Sequence, residues 1–291
     1  FNKTDLTYDL FMSKKKRFKG KVVWITGASS GLGEALTKAF HQEGASLTIS
    51  ARRRNELERV RDECIKEWDS LGISDPPGKI LVLPLDLLDP RSFTNIEKSL
   101  REEFPEIDLL IHNAGRTHRA LTVDTSTKVY RDLFEVNFFG PLELTKMAIP
   151  FFSKNPKSRI VVISSVAAIF SGPMRSGYNA VKRALNGFYD SLRAELWQDG
   201  IGVTIVILGA VRTKISVNAA LGDGSSYGRM DPFLEKGMKP KNAAKRILNA
   251  VERGQDEVTV AQWKFRWIVF RRRFFPNWAA RAIRHTTDKK Q

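Results

Sequence analysis

The sequence predicts an α/β fold in which a doubly wound parallel sheet carries helices on both faces. Two observations predict it. Short apolar runs alternate with stretches of helical periodicity from Lys21 to Ala261, the order that lays parallel strands side by side with crossover helices between them. The first apolar run, Lys21–Thr26, is broken by Gly27, Gly31 and Gly33 immediately before a helical stripe of Leu32, Leu36 and Phe40, which reads as strand, glycine turn and helix. The 291 residues, 42% of them apolar, suffice for one large domain or two small ones.

Residues 1–19 form a basic lead with Lys14-Lys15-Lys16-Arg17, expected to be a solvated arm. Asn2-Lys3-Thr4 is a glycosylation sequon. After the first strand, the three glycines suit a tight turn, a close approach of backbone to phosphate, and close packing of helix on strand. A pyrophosphate would sit at the helix start, where free N–H groups and the helix dipole point toward it. Ser46–Ala51 is the second strand, followed by Arg52-Arg53-Arg54. In a dinucleotide fold the end of this strand faces the adenosine ribose. A carboxylate there accepts from the 2′-hydroxyl of NAD, whereas arginine accommodates the 2′-phosphate of NADP. Arg52 holds the position and the first carboxylate is Glu56, so NADP(H) is the expected cofactor.

A helix follows as far as Leu71, with Leu57, Val60 and the single Cys64 on one stripe. The cysteine is therefore expected to pack in the core, and one cysteine excludes an intrachain disulfide framework. Asp75-Pro76-Pro77-Gly78 is loop chemistry. Lys79–Leu85 is the next strand, ending at Asp86, which either bonds an adenine ring or caps the turn. Residues 90–104 read as a helix and Asp108–His112 as a short buried strand from which Asn113-Ala114-Gly115 departs. Residues 124–154 are expected to be largely helical. Asn137 within them is a poor helix former and either is a tolerated polar residue or orients water near a site.

Arg159–Ser164 is a strand that delivers Ser164 and Ser165 at its carboxyl end, where ligands bind in open α/β sheets. The helix that follows carries Tyr178 and Lys182, runs to Gln198, and stops at Asp199-Gly200. Residues four apart share a helix face. A fixed ammonium beside a phenol, whose ordinary pKa is about 10, favours the phenolate, so Tyr178 is a candidate general acid or base. Ser165 is placed to hold the same oxygen. Gly202–Leu208 is a strand, residues 213–240 read as a lid over a substrate, 241–253 as a helix and Glu257–Ala261 as the last strand. Ile215, Val217, Leu221, Phe233 and Leu234 in the lid favour a greasy substrate.

The net charge is +16, and residues 262–291, with nine lysines and arginines against one aspartate, carry half of it. Basic ends suit anionic surfaces, lipid or nucleic acid, but no recognised nucleic-acid module is present. The four histidines lack metal-ligand spacing, so no metal site is expected. No apolar run is long enough to span a bilayer, and a chain starting at Phe1 leaves open whether a signal or anchor precedes it. In the tail, Trp263, Trp267, Phe270, Phe274 and Trp278 fall in one helical sector with Lys264, Arg266, Arg271, Arg272, Arg273 and Arg281 around them. Pro276 divides the stretch into two short helices. Such a tail either lies in the headgroup layer of a membrane or packs on the domain or a second copy.

Together, Thr26–Gly33 (TGASSGLG), Asn113-Ala114-Gly115, Asn137, Ser165 and Tyr178-x-x-x-Lys182 resemble the short-chain dehydrogenase/reductase family over roughly residues 20–261. The resemblance implies a single Rossmann-type domain of about seven parallel strands, flanked by the basic lead and the basic-aromatic tail. It further implies an oxidoreductase that interconverts a carbonyl and an alcohol, with Tyr178 as acid/base and Ser165 holding the carbonyl oxygen. Lys182 would bind the nicotinamide ribose and lower the tyrosine pKa, and Asn137 would hold a relay water. Ser29 and Arg52 match contacts to the 2′-phosphate of NADP, Asp86 the adenine contact, Asn113 the segment beside the adenosine ribose, and Thr213 the threonine near the carboxamide. The implied cofactor-binding set is Gly27, Ser29, Ser30, Gly31, Leu32, Gly33, Arg52, Arg53, Asp86, Asn113, Ala114, Gly115, Tyr178, Lys182 and Thr213.

Within the family, SARR, ELERV, ILVLPLDL and the tail with Pro276 and Trp278-Ala279 look like the branch around dehydrogenase/reductase family member 7. That likeness implies a reductase associated with the endoplasmic reticulum membrane and acting on lipophilic carbonyls such as steroids and retinoids, with homo-oligomers common in the family. Two departures stand out. Leu208-Gly209-Ala210-Val211 replaces the usual proline-glycine before the carboxamide-binding turn, and His112 stands where a second asparagine is common. The alternative is a non-catalytic dinucleotide-binding or membrane-associated regulatory protein on the same fold. Degenerate members usually lose the tyrosine, lysine or serine, and all three are present here.

Overall fold

The computed structural model describes residues 16–70, 78–153 and 157–284. The sequon Asn2-Lys3-Thr4, Lys14, Lys15 and the Asp75-Pro76-Pro77 turn lie outside the described residues. Seven parallel strands form one sheet in the order β3-β2-β1-β4-β5-β6-β7. They are β1 (Val22–Thr26), β2 (Ser46–Ser50), β3 (Ile80–Val82), β4 (Leu109–His112), β5 (Arg159–Ile163), β6 (Gly202–Leu208) and β7 (Glu257–Val260). The strand order reverses direction between β1 and β4, which pair in register from Val23 with Leu109 to Ile25 with Ile111. The crevice at that switch point opens at the carboxyl ends of the strands, where ligands bind in such sheets.

Both faces of the sheet are covered, which is why its strands read as apolar runs rather than alternating ones. On one face Val23, Ile25 and Ile49 pack with Leu36 and Phe40 of α1 (Gly31–Gln42), Leu57 of α2 (Arg54–Asp69) and Ile247 of α8 (Pro240–Glu252). On the other, Trp24, Leu110 and Ile205 meet Leu100 of α3 (Thr94–Glu103), Leu144 of α5 (Gly140–Ala148), and Leu185 and Tyr189 of α6 (Ser176–Glu195). Cys64 is buried on the α2 stripe, as its spacing predicts, and burial pushes its thiol up to about 12.

Strand β3 is shorter than the sequence suggests. Pro84 has no N–H to give to the ladder, although the N–H groups of Leu83 and Leu85 still reach the carbonyls of Ile49 and Ala51 at 3.0 Å. The stretch read as largely helical is α4 (Thr127–Phe134) joined to α5 through one wide π turn, Glu135–Phe139. Residues 213–240 contain one short helix, α7 (Pro232–Glu235), and are drawn into the fold by bridges between Ala220 and His118 and between Met238 and Val211. The tail forms α9 (Trp263–Phe274) and α10 (Pro276–Arg284), divided at Pro276 as expected.

Candidate active site

A cleft of about 1650 Å³ lies over the carboxyl ends of β1, β4, β5 and β6, larger than the ~300–1,000 Å³ usual for one small ligand. All fifteen residues of the expected cofactor set except Gly33 line it, as do Asn137 and Ser165. Gly33 works from behind: a side chain there would collide with the Gly27 carbonyl oxygen, so only glycine lets α1 approach β1. Gly27 and Gly31 have φ of +67° and +62°, backbone that other residues rarely adopt. Ser30 at the N-cap of α1 makes no side-chain cap bond, and Ser30, Gly31 and Leu32 at the helix start, where N–H groups lack intrahelical partners, line the cleft.

Asn113 is a brace for this turn. Its Nδ2 donates to the carbonyls of Thr26 and Gly27 at 3.0 and 3.2 Å, while Thr26 Oγ1 accepts from the N–H groups of Asn113 and Ala114 at 3.1 Å. Strands β1 and β4 are thereby stapled at the switch point. Arg52 and Arg53 project exposed from the end of β2. Asp86 caps its turn, accepting from Leu88 N–H at 3.1 Å, and also lines the cleft. Gly31 abuts Thr213, whose Cγ2 would lie 3.2 Å from an added Cβ. The turn after β6 is firmly held despite lacking the usual proline: Gly209 N–H donates to the Val260 carbonyl at 3.0 Å, and Met238 N–H to the Ala210 carbonyl at 2.9 Å.

Ser165, Tyr178 and Lys182 converge between β5 and the first turns of α6. Lys182 is buried, and its Nζ donates to the Ile163 carbonyl at 2.9 Å. Burial lowers its pKa to about 8. Tyr178 is raised above its ordinary value, mainly by burial, while a hydrogen bond with Ser165 and the charge of Arg175 pull the other way. The expected net lowering of the tyrosine is therefore not reached, because burial outweighs the pull of the groups around it. The ammonium is turned to the Ile163 carbonyl and stands 5.8 Å from the phenol ring centre, so desolvation dominates.

Asn137 sits inside the π turn, and that turn is its reason for being in a helix. Its Nδ2 donates to the carbonyls of Leu133 and Arg116 at 2.8 and 2.9 Å, and its Oδ1 accepts from Arg116 N–H at 3.2 Å. Widening the helix frees the Leu133 carbonyl and turns the side chain inward, a common use of π bulges at sites. Gly115 separates it from Lys182; a Cβ there would lie 2.8 Å from Asn137 Oδ1 and 4.0 Å from Lys182 Nζ. His112 lies behind them, bonded through Nε2 to Thr145 Oγ1 at 2.8 Å. Burial, aided by the Lys182 charge, pushes it down to about 3.

Three charged residues escaped the sequence reading. Asp231, buried at 3% exposure, accepts at Oδ2 from Arg119 Nη1 at 2.6 Å and from Arg175 Nη2 at 2.8 Å. Its Oδ1 caps α7 through Phe233 N–H at 2.9 Å. The three lie far apart in the chain, so no spacing marks them. Met174, just before Arg175, is the single non-glycine residue with positive φ (61°) among the described residues, and its carbonyl accepts from Ala120 N–H at 3.1 Å. Around this corner the cleft is walled by Leu121, Phe170, Met174, Ile215, Phe233 and Leu234. Of the five apolar lid residues that favour a greasy substrate, Ile215, Phe233 and Leu234 line the cleft and Val217 and Leu221 do not; the Val217 carbonyl and the Leu221 N–H instead close turns with Gly228 and Ser225.

Residues 21–222 match the family described as short chain dehydrogenase. A protein of Anopheles gambiae named dehydrogenase/reductase SDR family protein 7-like is 41% identical over 256 residues, 87% of this chain and 80% of that protein. The human dehydrogenase/reductase SDR family member 7 is 37% identical over 259 residues, 89% and 75% of the two chains. Among solved structures, a short-chain dehydrogenase from Streptomyces avermitilis superposes with a TM-score of 0.73 at 25% identity, covering 94% of this chain and all of its own. An alcohol dehydrogenase from Thermococcus sibiricus shares the fold, with a TM-score of 0.69 at 24% identity over 84% and 97% of the chains.

Proposed function

The chain belongs to the short-chain dehydrogenase/reductase family, and on that premise we propose that it is an NADP(H)-dependent oxidoreductase interconverting a carbonyl and an alcohol on a small lipophilic substrate. The convergence of Ser165, Tyr178 and Lys182 beside the glycine cradle carries the proposal.

The residues present fit the dinucleotide. The glycine turn keeps side chains away from the start of α1, where N–H groups and helix dipole favour a pyrophosphate. The cleft is also strongly cationic: Arg52, Arg53, Arg116, Arg119, Arg175, Lys182 and Lys214 line it against Asp86 and Asp231. Arg52, exposed at the end of β2 on the cleft wall, supports the choice of NADP(H), because an arginine there could make a charge-assisted contact with a 2′-phosphate. Bound NADPH would supply hydride to the carbonyl carbon of the substrate.

The chain's own part is to hold the carbonyl oxygen and protonate it. The Tyr178 phenol, held above its ordinary pKa, is fully protonated near neutral pH and can donate its proton as charge develops on that oxygen. Ser165 supplies the second hydrogen bond. Lys182, at about 8, is mostly cationic at neutral pH, so a positive charge stands behind the developing phenolate. Asn137, locked by its bonds to Leu133 and Arg116, fixes the backbone just after Gly115 on the wall of the cleft. The apolar walls of Phe170, Met174 and Phe233 suit a lipophilic carbonyl.

Following NADPH and NADH oxidation with a panel of steroid ketones, retinal and simpler aldehydes tests the proposal. Turnover faster with NADPH is expected. Tight NADPH binding without turnover of any carbonyl would favour the regulatory alternative.

A further inference from the structure

The roofed corner of the cleft holds more positive charge than its own carboxylate neutralises. Arg119 and Arg175 both donate to Oδ2 of Asp231, at 2.6 and 2.8 Å, while Oδ1 of the same group is taken by the Phe233 N–H. Each guanidinium therefore meets the aspartate through one nitrogen only, rather than in the two-bonded fork that arginine and carboxylate favour. Both arginines line the cleft, with side chains 19 and 27% exposed. Arg116, from the same loop as Arg119, lines it too and reaches the Gly224 carbonyl with Nη2 at 3.2 Å. The other carboxylate on the cleft wall, Asp86, follows β3 at the edge of the sheet, three strands from β4. At ~4.8 Å per strand that is roughly 14 Å away from the loop that carries the arginines.

We propose that this corner is a carboxylate subsite, in which Arg119 and Arg175, oriented by Asp231, bind a singly charged carboxylate on a lipophilic substrate whose carbonyl group lies at Tyr178. The proposal deepens the reading of the cleft as a carbonyl–alcohol oxidoreductase and rests on it for the reacting end of the substrate only.

Charge sets the class of ligand. Two cations on one anion leave a surplus of one, and a partly buried charge is costly without a partner. A monocarboxylate balances it. The apolar walls of Phe170, Met174 and Phe233 beside the arginines suit the body of such a molecule, so the ligand is amphipathic. The guanidinium groups are also fixed in advance, which lowers the cost of binding. Arg119 lies over the Tyr227 ring, 5.1 Å from its centre, an arrangement the planar guanidinium favours. Arg175 is held at the start of α6 behind Met174, whose carbonyl accepts from Ala120 N–H at 3.1 Å. Subsite and reacting oxygen are neighbours: Arg175 precedes Tyr178 by three residues, and its charge reaches the phenol.

The half-aldehydes of adipic, suberic and sebacic acid, each beside its methyl ester, present one aldehyde with and without the charge at graded reach. With NADPH saturating, kcat/KM for the acid is expected to exceed that for its ester on the order of tenfold or more at the best length, with the ratio shrinking as salt rises. Arg119→Gln and Arg175→Gln each leave the other arginine on Asp231, so the buried carboxylate keeps a partner. Each should lower the acid-to-ester ratio severalfold, whereas Arg175→Lys should retain most of it. Asp231→Asn removes the competing anion and should raise the ratio. Arginines that only tie down the roof predict a different pattern, in which every variant slows acid and ester alike. An ester reduced as well as its acid at every length, or a ratio untouched by both glutamine variants, would overturn the subsite and leave the oxidoreductase reading intact. If no aldehyde or ester is reduced, that reading fails instead, and calorimetric titration of the NADPH-saturated protein decides the subsite by itself. Octanoate should bind on the order of tenfold more tightly than octanamide, and Arg175→Gln should abolish the difference. Equal binding of the two by the wild type would overturn the proposal.

Discussion

Arg175 donates to Asp231 at 2.8 Å three residues before Tyr178, so α6 begins where the segment roofing the cleft is tied down. Arg119, arriving from the loop after β4, meets the same carboxylate oxygen at 2.6 Å. One buried carboxylate therefore joins the substrate-side roof, the start of α6 and the β4 loop. Its two cationic partners and the Phe233 N–H hold its pKa below the usual range against the opposing effect of burial.

Asp231→Asn should loosen the roof. The buried side of the pair would leave two guanidinium groups without their charge partner, which in a fully buried pair costs about 3–5 kcal/mol. Both arginines keep some solvent contact, so a cost of roughly 1–3 kcal/mol, or several degrees of melting temperature, is expected. KM for the carbonyl should rise more than kcat falls, because Phe233 and Leu234 contribute binding rather than proton transfer. Steady-state kinetics and a thermal melt of the variant would check both.

Acid should weaken the fold before it protonates most carboxylates. Burial lowers His41 to about 4 and, with the Lys182 charge, His112 to about 3. The unfolded chain takes up these protons near 6.5 while the folded one does not. The stability tied to neutral histidine is therefore present above about pH 6.5 and is lost as pH falls toward 4, by about 2 kcal/mol per histidine at pH 5. Melting temperature measured from pH 7 to pH 5 should fall, and His112→Asn should reduce that slope. A melting temperature independent of pH across this range would contradict the burial argument.

Much of the fold was legible because each strand is a short apolar run and each helix a stripe, and the seven-stranded parallel sheet follows that alternation. The cradle was legible too, since Gly27, Gly31 and Gly33 are demanded by local backbone geometry. Strand β3 was over-read because Pro84 interrupts an apolar run without changing its hydropathy. Asn137 was noticed but not explained, since the π turn that places it leaves no trace in helical periodicity. The Arg119–Asp231–Arg175 cluster was invisible, because nothing local distinguishes an arginine facing water from one facing a buried carboxylate more than fifty residues away. The direction of the Tyr178 shift was misjudged for a related reason. Spacing puts Lys182 on the same helix face, but only the structure shows its ammonium bonded to Ile163.

Cofactor choice should turn on Arg52. Its guanidinium is exposed at the end of β2 on the wall of the cleft, where a charge-assisted bond to a 2′-phosphate is stronger than a neutral one. Arg52→Asp should raise the dissociation constant for NADPH on the order of tenfold or more, and improve NADH relative to it, since a carboxylate repels phosphate and accepts from a ribose hydroxyl. Titration of both dinucleotides by fluorescence reads this directly. A wild type that prefers NADH would remove Arg52 from the role.

The central claim is that the Tyr178 hydroxyl moves the proton, and Tyr178→Phe isolates it. The substitution removes one oxygen and leaves the glycine cradle, Lys182 and its bond to Ile163 in place. Carbonyl reduction measured with saturating NADPH should fall on the order of 10²-fold or more, the contribution of a general acid, while the NADPH dissociation constant stays near that of the wild type. Turnover close to the wild-type rate in a variant that binds NADPH normally would contradict the account.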